Sequence, residues 1–207
     1  MGDSLTEFHK YVDKYTSLTS STALNYGIGG TCIGSINTGI TNSFVARYTE
    51  MDNTADMVIV FGGTNDFTNP VPFGTFSDRI VNSFYGALHL LCVGLLTKYP
   101  RKPIVFMTPL HRAGTTPEYN QTTKVANTNS WTGKTLKEYV NAIKDVCQYY
   151  SIPVLDSYSE SGIDVEVNTS YYFTDGLHQT TAGGNKLASY MYPRLEKIYD
   201  EYYKNNL

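Results

Sequence analysis

The stretch "DMVIVFGG" at residues 56–63 is a continuous apolar run, rich in β-branched side chains and stopped by two glycines. A strand with one wet face alternates apolar and polar residues. A run without alternation is covered on both faces, as strands of a parallel sheet are when helices pack above and below. "KPIVFMTP" at 102–109 repeats the pattern, and "IPVLD" at 152–156 gives a shorter version of it. Between these runs, residues 77–98 read as a helix ending before Pro100, and 134–150 as another. Residues 181–203 read as a last helix, with Leu187, Tyr190, Met191, Leu195 and Ile198 on one side. Upstream, Phe8, Tyr11, Tyr15 and Leu18 recur at helical spacing, so 5–19 reads as an amphipathic helix. "TALNYGI" at 22–28 then reads as a strand entering Gly29 and Gly30. Strands alternating with helices imply parallel pairing through right-handed crossovers. The fold class is therefore α/β: a three-layer α/β/α sandwich around a central parallel sheet.

With 207 residues, the chain is long enough for one domain with a sizeable core and short for two, so 1–207 is read as a single domain. Its basic residues are scattered and the net charge is -3, which leaves no phosphate-backbone footprint and makes nucleic acid an unexpected partner. Cys32, Cys92 and Cys147 are odd in number and far apart; they read as buried apolar residues rather than a disulfide framework or zinc knuckle. The longest apolar run, 84–96, is too short to span a bilayer, and no leader pattern precedes the first motif, so the chain as written reads as soluble and cytoplasmic. Without a leader, the sequons at Asn120 and Asn168 carry no weight. The 18 tyrosines fit either half-buried packing or a sugar-facing surface.

In a parallel sheet flanked by helices, ligands lie beyond the carboxyl ends of the strands. The glycine-rich and polar signals fall there: Gly29-Gly30, Gly62 to Asp66, and Pro109 to Arg112. The Thr/Asn-rich stretch 110–133, with Trp131, reads as a loop long enough to be a lid or substrate wall. Among residues that could do chemistry, Ser4 in "MGDSLTEF" needs a base and a group to orient that base before its hydroxyl can attack at neutral pH. His178 in "DGLHQTTAGG" (175–184) is the candidate base, and Asp175, three residues earlier beside a glycine, can turn back onto the imidazole. Taken alone, an Asp-x-x-His such as Asp175 to His178 is more often just a turn that caps the following helix. An acyl-transfer site also needs donors aimed at the oxyanion, each worth about 3–4 kcal/mol in the transition state. "NYGIGG" (25–30) offers a glycine N–H and "GGTND" (62–66) the side-chain amide of Asn65. A dinucleotide fingerprint would need glycine where Cys32 stands, and the four histidines lack paired ligand spacing, so neither nucleotide cofactor nor metal is expected. No G-x-S-x-G pentapeptide occurs, which sets aside the α/β-hydrolase class. Arg112, beyond a predicted strand end, is placed to touch substrate, but a solvated arginine is the commoner reading of such a residue.

Gly2-Asp3-Ser4-Leu5, Asn25-x-Gly27-x-x-Gly30, Gly63-Thr64-Asn65-Asp66 and Asp175-x-x-His178 resemble, in order and spacing, the four blocks of the SGNH or GDSL-type esterase and lipase family. The match runs from residue 2 to residue 178. It implies a flavodoxin-like SGNH hydrolase fold, with Ser4 as nucleophile, His178 as general base and then acid, and Asp175 as its orienting partner. The oxyanion hole would comprise the backbone N–H groups of Ser4 and Gly30 and the Asn65 side chain, with Asp3 supporting the site by hydrogen bonding. No cofactor and no metal are implied.

The sequence departs from the family pattern at one point. SGNH domains begin with a buried strand leading to the Gly-Asp-Ser block, whereas only Met1 precedes Gly2, so the first strand is expected to be missing or truncated by about five or six residues. Three accounts compete: a sequence that starts late, another segment filling the place, or a chain that has lost activity. The presence of every downstream block favours the first. The expected function is a serine ester hydrolase acting through an acyl-enzyme on a small-molecule ester, an acylated carbohydrate or lipid. The polar 110–133 stretch favours a small acyl group such as acetyl on a sugar. Lipase, lysophospholipase or thioesterase activity is the alternative within the family; a non-catalytic binding module is the alternative outside it.

Overall fold

The computed structural model describes residues 1–35, 42–113 and 128–204. Its sheet contains β1 (Val58–Phe61), β2 (Ile104–Met107) and β3 (Val154–Leu155), all parallel and in the order β1-β2-β3. The register sets Val58 beside Ile104 and Met107 beside Leu155. Successive strand residues point to opposite faces and so feed two separate cores. Val58, Val60, Ile104 and Phe106 pack into one with α3 (Phe44–Arg47), α5 (Phe84–Lys98) and α6 (Leu136–Tyr149). Phe61, Val105, Met107 and Leu155 pack into the other with α2 (Lys10–Thr19) and α9 (Thr181–Lys204). The three-layer arrangement expected from the unbroken apolar runs is therefore present, and each run is buried on both faces for that reason.

The helices follow local chemistry. In α5, Leu88, Leu91, Cys92 and Leu95 are fully buried, and the helix starts only at Phe84 because the Ser83 hydroxyl accepts the Gly86 N–H. Residues 77–83, expected to be helical, are held in turns around Asp78, which accepts from the Thr75 and Ser83 hydroxyls. Helix α6 opens with a capping box between Thr135 and Glu138 and buries Leu136, Tyr139, Val140, Ile143 and Val146, a spacing that places all of them on one face.

The amino-terminal readings need correction. The single helix expected over 5–19 is two: α1 (Ser4–Glu7) and α2, separated at His9, whose φ of 63° is left-handed and cannot continue a helix. The strand expected over 22–28 is not formed as a ladder. Among the described residues its only pairing is a parallel bridge between Gly27 and Gly2, and Gly2 bridges Phe61 of β1 on its other side. Where the first strand was expected, Met1 and Gly2 therefore lie in the sheet. The Met1 amine donates to Ile59 O at 2.8 Å, Phe61 N–H donates to Met1 O at 3.0 Å, and Ile28 N–H donates to Gly2 O at 3.1 Å. A Cβ on Gly2 would overlap the Thr6 side chain, so no larger residue fits between these walls.

Short helices α4 (Thr64–Thr68), α7 (Ser157–Glu160) and α8 (Thr169–Tyr172), like α3, have too few turns to leave a periodic signal in the sequence. All three cysteines are buried and free, as expected. Most of the proposed 110–133 lid, and the sequon at Asn120, fall outside the described residues. Of the remainder, Asn129 is buried and its side chain donates to Asn69 O, while Trp131 is exposed. Among the described residues, no helix is long and apolar enough to cross a membrane.

Candidate active site

Ser4 is the first residue of α1, and Asp3 is the N-cap, its Oδ1 accepting the Leu5 N–H at 2.9 Å. Several contacts hold this short turn still. Arg47, buried on α3, donates from Nη2 to Gly2 O at 2.7 Å and to Thr31 Oγ1 at 3.1 Å, and from Nη1 to Tyr26 O at 2.6 Å. The Asn25 side chain donates to Thr6 O at 2.8 Å, and the Thr6 hydroxyl shares a hydrogen bond with Tyr11 OH. Sequence reasoning had no signal for Arg47: a lone arginine in a polar stretch looks solvated until the carbonyls around it are known.

The residues 173–179 form a closed loop, pinned by the Phe173–Gln179 bridge and by Thr174 N–H donating to His178 O at 2.8 Å. Asp175 divides its two oxygens. Oδ1 accepts the backbone N–H groups of Leu177 (3.0 Å) and His178 (2.7 Å), and Oδ2 meets His178 Nδ1 at 2.6 Å. It is thus a turn residue and an imidazole partner at once. On the far side of the ring, His178 Nε2 lies 3.0 Å from Ser4 Oγ, across 174 residues of sequence. The tautomer consistent with both contacts has Nδ1–H donating to Asp175 and Nε2 accepting from Ser4. The Phe8 ring packs against the imidazole, centroids 5.1 Å apart, and is itself half exposed.

The remaining candidates lie on loops tied to this centre. A Cβ on Gly29 would stand 3.6 Å from Ser4 Cβ, so the 29–30 turn lies against the serine; Gly30 has a left-handed φ of 73°. Glu7, unremarked in the sequence, accepts Gly29 N–H at 2.9 Å and holds that turn to α1. Asn65, in α4 just after β1, donates from Nδ2 to Thr31 O at 3.0 Å, a bond that occupies one of its two amide hydrogens. Asp66 accepts the N–H groups of Ile33 (2.8 Å) and Gly34 (3.0 Å). The first and second sequence blocks are therefore joined by hydrogen bonds at Gly2, the third holds residues 31–34 just beyond the second, and the fourth reaches Ser4 through His178. Arg112 corrects its sequence reading. It is partly buried and donates from Nη1 to Thr64 Oγ1 at 2.8 Å and to Thr64 O at 3.1 Å, bracing the start of α4.

Burial shapes the electrostatics. Desolvation pushes the Asp3 carboxyl up to about 6, against the pull of the Leu5 amide and of His178, Arg112 and Arg47. Desolvation likewise raises Asp66 to about 7, despite the amides it accepts. Asp175 goes the other way. Its partial burial pushes the carboxyl up, but the hydrogen bonds from the His178 ring and the two backbone amides outweigh that and hold it at about 2. An ionised carboxylate on one side of the imidazole and a hydroxyl on the other can draw a proton from the hydroxyl and stabilise the resulting imidazolium. Among the described residues, no group of three His, Cys, Asp or Glu side chains converges as a metal site.

The sequence pattern of the GDSL-like Lipase/Acylhydrolase family matches residues 1–185. The chain belongs to this family. Membership makes it a hydrolase of the esterase and lipase kind. No curated protein matches it in sequence. Among solved structures, a protein from Lactobacillus plantarum is similar at 29% identity and a TM-score of 0.82, covering 95% of this chain and 94% of its own. A possible lipase from Chitinophaga pinensis shares 19% identity with a TM-score of 0.75, over 96% of each chain. A carbohydrate acetylesterase family member from Sinorhizobium meliloti shares 14% identity with a TM-score of 0.60, also over 96% of each. The last two likenesses are of fold: the central parallel sheet of this acylhydrolase and its flanking helices recur in both.

Proposed function

We propose that residues 1–207 act as one domain, a serine ester hydrolase with Ser4 as nucleophile, working through an acyl-enzyme. The observation that carries this reading is the relay Ser4 Oγ to His178 Nε2 at 3.0 Å and His178 Nδ1 to Asp175 Oδ2 at 2.6 Å. Ser4 Oγ attacks the ester carbonyl carbon while His178 takes its proton, and the negative charge goes to the carbonyl oxygen. The Ser4 and Gly30 N–H groups and the second Asn65 amide hydrogen are the donors for that oxyanion. Asp175 holds the imidazole ring in register, and Asp3 caps the turn that carries the nucleophile. The imidazolium then protonates the departing alcohol. Water, deprotonated by His178, cleaves the acyl-serine and releases the acid. No step requires a cofactor.

For substrate, the reading is a small acyl group, acetyl on a carbohydrate alcohol. It is supported by the polar, Asn/Thr-rich 110–133 stretch and by a similar fold in a protein named as a carbohydrate acetylesterase family member. The test is Ser4→Ala against a series of p-nitrophenyl esters. The variant should fold normally and lose turnover, and a fluorophosphonate should label the parent at Ser4 and leave the variant unlabelled. Turnover by the parent should fall steeply from acetyl to octanoyl. Turnover surviving in Ser4→Ala refutes the mechanism; a rising series refutes the acyl-size reading and favours a lipase.

A further inference from the structure

Phe8 follows Ser4 by one helical turn. Its N–H donates to Ser4 O at 3.0 Å, and residues four apart in a helix carry their side chains on one face. His178 touches both members of this pair: Nε2 lies 3.0 Å from Ser4 Oγ, and the imidazole packs on the Phe8 ring, centroids 5.1 Å apart and planes inclined by 51°. The left-handed φ of His9, 63°, stops the helix immediately after Phe8, so no further turn of α1 covers the ring, and it stays half exposed. A single exposed phenylalanine is ordinary on a protein surface. This one stands beside the base of the relay.

In the acyl transfer proposed above, the imidazolium returns its proton to the departing alcohol, so the alcohol oxygen stands within hydrogen-bond reach of His178 Nε2. Whatever that oxygen carries lies beside the imidazole, where the bare part of the Phe8 ring offers an apolar face. Such a face is negative and attracts the polarised axial C–H hydrogens of a pyranose. The loop that holds His178 also lines an open cavity of about 550 Å³, with Glu166, Thr169, Ser170, Thr174, Asp175 and Thr180 in its wall. Thr169, Thr174 and Thr180 give their hydroxyl protons to the carbonyls of Val165, His178 and Tyr171, which leaves their oxygens as acceptors. With two carboxylates in the same wall, this flank suits an uncharged alcohol rich in hydroxyl donors and disfavours an anionic headgroup.

We propose that Phe8 is the platform for the alcohol part of the substrate, a neutral pyranose whose C–H face stacks on the ring while its ester oxygen meets His178 Nε2. The assignment rests on the serine-hydrolase reading and adds to it the residue that selects the alcohol. A straight-chain alcohol has no flat face and gains less from the ring. Phe8 therefore acts on the choice of alcohol, and the proton transfer stays with His178.

The test separates binding from turnover. The Ser4→Ala protein is titrated with mono-O-acetylated methyl β-D-xylopyranoside, a ring with no hydroxymethyl group to block either face, and followed by proton NMR. The axial protons of one sugar face should move upfield, the ring-current mark of an aromatic platform. Adding Phe8→Leu, which keeps apolar bulk, should abolish that shift and weaken binding by about tenfold, whereas Phe8→Trp should keep both. With Ser4 in place, Phe8→Leu should lower the ratio of kcat/KM for this pyranoside to that for ethyl acetate by about tenfold, chiefly through KM. No upfield shift, equal binding by the Phe8→Leu protein, equal losses on the two esters, or an upfield shift with phenyl acetate alone each overturns the proposal. Turnover surviving in Ser4→Ala refutes the relay instead, and the platform is then read from the shifts of the product, methyl β-D-xylopyranoside.

Discussion

Asp3→Asn should stabilise the protein at pH 8 and leave it nearly unchanged at pH 4. Asp3 is buried, its Oδ1 accepts the Leu5 N–H, and its Oδ2 has no hydrogen-bond partner among the described residues. Desolvation lifts the carboxyl from 3.8 to about 6, so the folded state binds this proton more tightly than the unfolded chain does. The resulting stabilisation is complete below pH 3.8 and is lost as pH rises through 6. A shift of about two units corresponds to about 3 kcal/mol, reached by pH 8. Asparagine keeps the acceptor for Leu5 and carries no charge, so it avoids that loss; Asp66, which the Asp3 charge pushes up, is relieved in the same direction. The Met1 amine, held at about 5 by burial and by Arg47, titrates with the opposite sign, its contribution fading as pH falls from 8 to 5. Both proteins share that effect, and it cancels in their difference. Urea unfolding of the two proteins at half-unit steps from pH 4 to 8 should give a difference curve that starts flat and climbs with a midpoint between 4 and 6. The melting temperature at pH 8 should rise by about 5–10 °C. A flat difference curve, or a variant less stable at pH 8, would refute the reasoning.

Asp175→Asn should lower kcat by about 10³–10⁴-fold with the far-UV spectrum unchanged, because His178 Nδ1 loses its carboxylate and the ring its fixed tautomer; steady-state kinetics on p-nitrophenyl acetate is the check. Asn65→Ala should lower kcat by about 10²–10³-fold and leave KM nearly constant, the signature of a donor used in the transition state, read from the same assay. Arg47→Ala should destabilise the fold by about 2–4 kcal/mol, since it strips donors from the carbonyls of Gly2 and Tyr26 and from Thr31 Oγ1. Chemical denaturation measures that loss, and Arg47→Lys should recover only part of it, because a single ammonium cannot span the three acceptors.

The layering of the fold was legible in the sequence for local reasons, whereas Ser4, Asp175 and His178, which the structure brings into a chain of hydrogen-bond contacts, were singled out by resemblance to a family, and their catalytic roles are the proposal made above. Unbroken apolar runs such as 56–61 and 104–107 can satisfy their side chains only between two layers of helix, whatever the rest of the chain does. Ser4, Asp175 and His178 stand in short blocks with recognisable spacing, and the Asp175–His178 contact is made within a single turn of chain. What sequence could not decide was everything that depends on a neighbour far along the chain. Residues 22–28 read as a strand, yet a strand exists only where another lies beside it, and among the described residues the pairing there is the Gly2–Gly27 bridge alone. Arg112 and Arg47 look like surface cations until tertiary folding brings carbonyl and hydroxyl oxygens within 3.1 Å of their guanidinium groups. The 3.0 Å contact between Ser4 and His178, the distance on which the proposed chemistry turns, is set by α1 and the 173–179 loop meeting across the end of β1. Residue types and their spacing are carried by the chain itself, whereas pairing, burial and the shifts they impose on Asp3, Asp66 and Asp175 arise only when separate segments share one space.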